Sequence, residues 1–93
     1  MFEFDSDKSA ANKAKHGIDF EEGPTLWDDF ARIEVVSGQN HDGEERRLVT
    51  GRFRDRAWTA IVTLRGDAIR IISIRRARDY EELAYEQARQ DRA

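Results

Sequence analysis

A β-branched run that ends in two arginines is the feature of this chain best suited to chemistry. It reads Ile69-Arg70-Ile71-Ile72-Ser73-Ile74-Arg75-Arg76-Ala77. Such a composition predicts a strand deep in a sheet, and arginine is rarely buried there without an anionic partner. A guanidinium can bind a phosphate through two parallel hydrogen bonds. Arg75 and Arg76 are therefore candidate phosphate ligands, and the alternative is that the chain's own nineteen acids pair with them.

Lys15-His16-Gly17 is a second candidate segment, at the predicted end of a helix. Lys15 brings a cation and His16 a titratable imidazole to a rigid terminus, which suits acid–base chemistry or phosphate contact. The alternative is structural, since Lys and His also complement the negative end of a helix dipole.

Glu44-Glu45-Arg46-Arg47 opens a predicted strand and forms a third candidate. Glu45 or Glu44 could act as a general base, and Arg46 or Arg47 could hold a phosphate. Side chains alternate along a strand, so Glu45 and Arg47 share one face of the sheet. The alternative is ion pairing across strands, where each exposed pair stabilises by less than ~1 kcal/mol.

The positive charge is concentrated in one part of the chain. Residues 44–78 contain ten arginines and four acids, a balance of +6, whereas the remaining residues contain six Lys and Arg and fifteen acids, a balance of −9. Thirteen of the sixteen basic residues are arginine, which favours two-point recognition of phosphate or carboxylate. The net charge of −3 therefore does not exclude a nucleic-acid ligand.

Other kinds of site are absent from the sequence. There is no cysteine, no Ser-His-Asp arrangement and no glycine-rich phosphate loop, and His16 and His41 lack metal-ligand spacing. We therefore expect no metal and no cofactor. No apolar run approaches the ~18 residues of a membrane span, and the acidic start is unlike a signal peptide, so we expect a cytoplasmic protein without membrane contact.

The pattern of elements predicts one α+β domain over residues 1–93. A short edge strand is expected at Phe2–Phe4, a helix from an Asp5 or Ser6 cap to His16 with Gly17 as its stop, and a short helix after the Asp19 cap that ends near Trp27. Four strands follow, at 32–37, 45–53, 58–64 and 68–75. A last helix is expected from an Asp79 cap to about Arg89. Leu83 and Tyr85 are the expected apolar contacts of that last helix, and Phe53 and Trp58 the expected core residues.

Several of these segments in this order resemble the BrnT family. They are Phe2-Glu3-Phe4-Asp5, Lys8, Asn12, Lys15-His16-Gly17-Ile18, Phe20-Glu21-Glu22, Glu45-Arg46, Gly51, the run from Ile69 to Ala77, Glu81 and Tyr85. Each motif alone is weak, but the Lys-His-Gly segment and the Ile-Ile-Ser-x-Arg-Arg-Ala segment together are specific. BrnT proteins are the toxins of bacterial BrnT–BrnA toxin–antitoxin pairs.

The resemblance implies a RelE-like α+β fold, in which helices pack on a small antiparallel sheet. It also implies a metal-independent endoribonuclease that lowers translation and growth, and a BrnA-like antitoxin that caps the active surface, binds operator DNA and forms a heterotetramer with the toxin. The catalytic residues that it implies are Lys15, His16, Glu45, Arg46, Arg75 and Arg76. The alternative function is a non-catalytic module that grips an acidic protein or nucleic acid through the arginine-rich sheet.

Two departures from the family pattern affect packing rather than chemistry. Gly23-Pro24 follows Glu22, where the family usually continues a helix with Ala, so we expect the second helix to be shortened or distorted. Ile74 replaces a usual Ala just before Arg75 and Arg76, where its larger side chain would change the packing beneath the arginines.

Overall fold

A computed structural model describes residues 1–39 and 42–92; His41 lies outside them. Five strands, two α-helices and one 3₁₀ helix follow one another along the chain, and the predicted α+β class is confirmed. The elements are β1 (Phe2–Glu3), α1 (Ser6–His16), the 3₁₀ helix (Gly23–Asp28), β2 (Ile33–Gln39), β3 (Glu45–Phe53), β4 (Arg56–Arg65), β5 (Ala68–Arg76) and α2 (Asp79–Arg92). In the described ranges, no helix is long and apolar enough to cross a membrane.

The strands form one sheet in the order β1-β5-β4-β3-β2. The four longer strands pair antiparallel, and β1 runs parallel to β5 at the edge. Paired residues share a face, so the sheet has two different sides. We call the side that carries Val49, Trp58, Ala60 and Ile74 the α1 face, and the side that carries Thr50, Thr59 and Arg75 the α2 face.

The α1 face holds the core of the protein. Its strand residues pack against Ile18, Phe20 and Leu26, all of which are at most 1% exposed. Burial of such side chains stabilises the fold by about 1.5–3 kcal/mol each. Trp58 belongs to this core and Phe53 packs against it, as predicted.

The termini of α1 are as the sequence predicts. The Asp5 side chain accepts hydrogen bonds from the backbone N–H groups of Asp7 and Lys8, and Gly17 ends the helix in the left-handed conformation at φ 86°. The helix has little apolar surface and buries polar side chains instead. Ser9 accepts a hydrogen bond from the backbone N–H of Phe20 at 2.9 Å.

The second helix is short and distorted, as Gly23-Pro24 predicted. Asp19 accepts bonds from the backbone N–H groups of Glu21 and Glu22, and Glu22 accepts one from the Asp19 backbone N–H. This reciprocal cap is the predicted one, yet only the 3₁₀ helix follows it, with Pro24 in its first turn.

The last helix differs from the prediction in its bounds and its contacts. It begins at Asp79 and continues to Arg92, three residues beyond the predicted end. Tyr85 is buried as expected, at 1% exposure, but Leu83 is 74% exposed and the prediction for it was wrong. A thin apolar stripe does not show which of its residues faces the sheet.

Candidate active site

Arg76 is the predicted site residue best placed to bind an anion. It closes β5 on the α1 face, opposite Trp58, and its guanidinium lies 5.5 Å from the centre of the Trp58 ring. Its Nε donates a 3.4 Å bond to the carbonyl of Ala57. The side chain is exposed and has no carboxylate partner in the part of the chain that the structure describes. A stacked guanidinium keeps its remaining N–H groups free for a ligand.

Arg75 points to the α2 face and is neutralised there. Its guanidinium donates to both carboxylate oxygens of Glu81, at 2.7 and 3.0 Å. Glu81 is 6% exposed and also accepts bonds from Thr59 Oγ1 and from the backbone N–H of Arg78. The bond to Glu81 raises the pKa of Arg75. For this arginine the structure therefore favours pairing with the chain's own carboxylate over a free phosphate ligand.

Glu81 stays ionised in this buried position because its partners outweigh desolvation. Burial alone would raise the pKa of the carboxyl, but the hydrogen bonds from Arg75, from the Arg78 backbone and from Thr59 bring the pKa below its usual value. This buried ion pair ties the start of α2 to β4 and β5.

Lys15 and His16 lie at the same end of the sheet as Arg76. The link is Asn12, 7% exposed, whose side chain donates to the carbonyls of Ile18 and Ile74 at 2.8 and 2.9 Å and accepts from the backbone N–H of Ile74. His16 lies about 6 Å along the helix axis from Asn12. Arg76 lies about 7 Å along β5 from Ile74, which Asn12 contacts. Lys15 is exposed and His16 is partly buried.

Glu45 and Arg46 lie at the other end of the strands. Gly51 on β3 pairs with Trp58 on β4, and Trp58 pairs with Arg76 on β5, so these three residues lie side by side across the sheet. Glu45 begins β3 six residues before Gly51. At about 3.3 Å per residue, the separation is about 20 Å. Glu45 accepts a 2.5 Å bond from Arg47 Nε. Arg46 is exposed on the α2 face, opposite Thr63.

The six predicted residues therefore do not form one cluster. Lys15, His16 and Arg76 share one end of the α1 face, Arg75 is paired on the opposite face, and Glu45 and Arg46 begin a strand at the distant end. The chemical roles predicted for these residues stay predictions, but one phosphate cannot contact all six.

One family accounts for most of the chain. A sequence model described as "Ribonuclease toxin, BrnT, of type II toxin-antitoxin system" matches residues 4–81. The chain belongs to the BrnT family. No curated protein matches the sequence significantly. The BrnT resemblance is thus confirmed, and a ribonuclease toxin with a cognate antitoxin is supported over a non-catalytic binding module.

The matched range of this BrnT chain covers all six predicted site residues and ends at Glu81. Across the described residues, no group of three or more His, Asp or Glu side chains is placed to hold a metal.

Glu22 lies at the Arg76 end of this BrnT protein, and the sequence identified it only as a capping residue. Its carboxylate accepts a 2.6 Å bond from Lys13 Nζ and lies 3.1 Å from an Arg54 nitrogen. The bond from Lys13 is the largest cause that lowers the pKa of Glu22, ahead of the bond from the Asp19 backbone and the charge of Arg54. Glu22 therefore brings a fixed negative charge among the cations.

Proposed function

We propose that this BrnT chain cleaves RNA without a metal ion, by attack of a 2′-hydroxyl on the adjacent phosphate. RNA carries its own nucleophile, so the protein has to bind the phosphate, stabilise the charge that develops and move protons. The observation that carries the proposal is the exposed Arg76 guanidinium, stacked on Trp58 beside the end of α1. Arginine supplies the positive charge that a metal would otherwise supply.

The proposed roles follow from position. Arg76 binds the scissile phosphate and stabilises the phosphorane. Lys15 or His16 binds a phosphate oxygen or protonates the leaving 5′-oxygen, because both residues end α1 where Asn12 fastens the helix to β5. The proton of the attacking 2′-hydroxyl passes to solvent water. Arg75 supports this arrangement through Glu81 and does not contact RNA.

Glu45 as general base and Arg46 as its partner remain the predictions with least support. The pair is about 20 Å from Arg76 along the strands, which is too far for one carboxylate to take a proton at the same phosphate. We place both residues outside the reacting centre, so Glu45→Gln should retain cleavage.

The test is cleavage of RNA by the purified chain in excess EDTA. Arg76→Ala should lower the rate by about 10²-fold, the usual cost of removing an electrostatic donor. Arg89→Gln is the control, since Arg89 lies on α2 and pairs at the surface with Glu86. Loss of wild-type activity on chelation would contradict metal independence, and undiminished cleavage by Arg76→Ala would contradict the proposed site.

The cognate antitoxin should cover the Arg76 end. An inhibitor that meets unpaired arginines needs acidic groups there, since complementary charge favours association and register. We propose that this antitoxin is BrnA-like, is encoded just downstream, carries the operator-binding activity and forms a heterotetramer with the toxin. Co-expression followed by mass measurement of the purified complex tests the stoichiometry, and a complex that leaves Arg76 accessible to RNA would contradict the capping.

A further inference from the structure

Within the residues that the structure describes, most arginines pair with carboxylates, and three of those that do not lie together. Eight of the thirteen lie within 4 Å of a carboxylate oxygen: Arg32, Arg47, Arg52, Arg54, Arg65, Arg70, Arg75 and Arg89. Arg92 donates to backbone carbonyls. Of the remaining four, Arg56, Arg76 and Arg78 lie where β4 begins and β5 ends.

Arg56 extends the Arg76 site along the α1 face. It lies two residues before Trp58 on β4, and Trp58 is opposite Arg76. Arg56 and Arg76 are thus diagonal neighbours on adjacent strands, with their Cα atoms about 7–8 Å apart. Arg56 is exposed and has no ion pair within the residues that the structure describes. Two unpaired arginines on neighbouring strand positions can contact successive phosphates of one chain, which a single arginine cannot do.

The turn that carries Arg56 has an unfavourable sequence for its shape. Arg54 and Asp55 connect β3 to β4, and both have positive φ, 52° and 63°. Two-residue turns of this kind favour Asn-Gly or Gly-Gly, because other L-residues are strained there. Arg54 lies over the Phe53 ring, 4.9 Å from its centre, and one of its nitrogens pairs with Glu22 at 3.1 Å. Its side chain is still 69% exposed, so the rest of the guanidinium faces solvent.

We propose that this hairpin turn, Phe53–Arg56, binds the phosphodiester backbone of single-stranded RNA next to the scissile phosphate. Arg56 contacts a flanking phosphate directly, and Arg54 is held over Phe53 to contact the next one. An Asn-Gly turn would make the fold more stable, but Arg54 is kept in the strained turn because it binds RNA there. The inference rests on the proposed function, because it extends the Arg76 site along the same substrate.

The first experiment measures binding of a single-stranded RNA whose 2′-hydroxyls are methylated, so that no cleavage occurs. Affinity is measured from low to high salt for the wild type, Arg56→Gln and the control Arg89→Gln. Arg56→Gln should bind roughly 5–10-fold more weakly at low salt and lower the slope of log affinity against log salt by about 0.7, the value for one lost phosphate contact on a single strand. The control should match the wild type.

The second experiment replaces Arg54-Asp55 by Asn-Gly, which keeps the net charge. The proposal expects opposite effects on stability and binding, with Tm higher by several degrees and RNA affinity several-fold lower. A merely structural turn would gain stability and keep its affinity, and that result would overturn the role of Arg54.

The outcomes separate this inference from the proposed function. A wild-type chain that cleaves RNA, together with an Arg56→Gln variant of unchanged affinity and salt slope, overturns the hairpin site alone. A wild-type chain that neither binds nor cleaves RNA overturns the proposed function and the hairpin site with it. Thermal melting of each variant before the assay shows whether the comparison is between folded proteins.

Discussion

Replacement of Glu81 should destabilise this protein far more than replacement of any surface carboxylate. Glu81→Gln keeps the side-chain shape but leaves Arg75, whose side chain is 19% exposed, without a counter-charge. Breaking a buried ion pair from one side costs about 3–5 kcal/mol, and we take about 3 kcal/mol because Arg75 keeps some access to water. For a domain of this size, the expected fall in Tm is about 12 °C or more.

The assay is urea unfolding followed by tryptophan fluorescence, with Glu45→Gln as the matched control. The Glu45–Arg47 pair is about one-third exposed on each side, so its loss should cost less than ~1 kcal/mol. Arg75→Met completes a double-mutant cycle with Glu81→Gln, and the coupling should be about 2 kcal/mol. Equal losses of unfolding free energy for Glu81→Gln and Glu45→Gln, or additive losses in the double-mutant cycle, would refute the structural role of the Arg75–Glu81 ion pair.

The same pair gives the protein an acid-sensitive contact. The pKa of Glu81 is lower in the folded protein than in the unfolded chain. The Glu81 carboxylate therefore contributes its full stabilisation of the fold above the unfolded-state pKa, and this stabilisation is lost as pH falls through the folded-state pKa. The stability difference between the wild type and Glu81→Gln should therefore shrink on acidification.

Three further perturbations follow from buried contacts. Asn12→Asp replaces an amide donor that faces two carbonyls by a carboxylate, so it should cost about 2–3 kcal/mol in thermal unfolding and lower cleavage. Burial and the Asp29 carboxylate raise the pKa of Tyr85 to about 12. The Tyr85 hydroxyl therefore stabilises the fold fully below about pH 10, and this stabilisation is lost as pH rises towards 12. The difference in Tm between the wild type and Tyr85→Phe should shrink across this range in alkaline melts. Gly23→Ala puts a Cβ 2.5 Å from Ile74 Cδ1 and should cost about 1–3 kcal/mol in urea unfolding, with a smaller cost when Ile74→Ala is also present.

The regular elements were predictable because local signals and hydrophobic periodicity agree in them. Asp5, Gly17 and the alternating residues of β3 specify their own geometry within a few positions of the chain. The short helix after Glu22 was also predictable, because a satisfied cap starts a helix but Gly23-Pro24 governs its continuation. Leu83 was misplaced because α2 packs through Glu81 and Tyr85, and a buried carboxylate on a helix is recognisable only with its partner.

The candidate site was predictable in composition but not in geometry. Arg75 and Arg76 are adjacent in sequence, and strand alternation alone sends them to opposite faces; which face carries a carboxylate depends on where α2 docks. The separation of Glu45 from Arg76 required the pairing register of three strands. Arg56 and Arg54 were missed as ligands because they look like turn residues. The positive φ of Arg54, and the position of Arg56 diagonal to Arg76, are visible only in the folded chain.

Gly23 and Ile74 are far apart in sequence but meet in the fold. The BrnT resemblance led us to expect a separate effect on packing from each of them, a shortened helix from Gly23-Pro24 and a larger side chain at Ile74. In the fold they touch, and the Ile74 methyl group fills the space that a Cβ at position 23 would need. A small residue therefore faces a large one across this interface, which keeps the packing dense. Because the Ile74 backbone also pairs with Asn12, this packing lies on the α1 face, two residues before Arg76. The missing side chain at position 23 therefore lets Ile74 keep its place in the strand that carries Arg76.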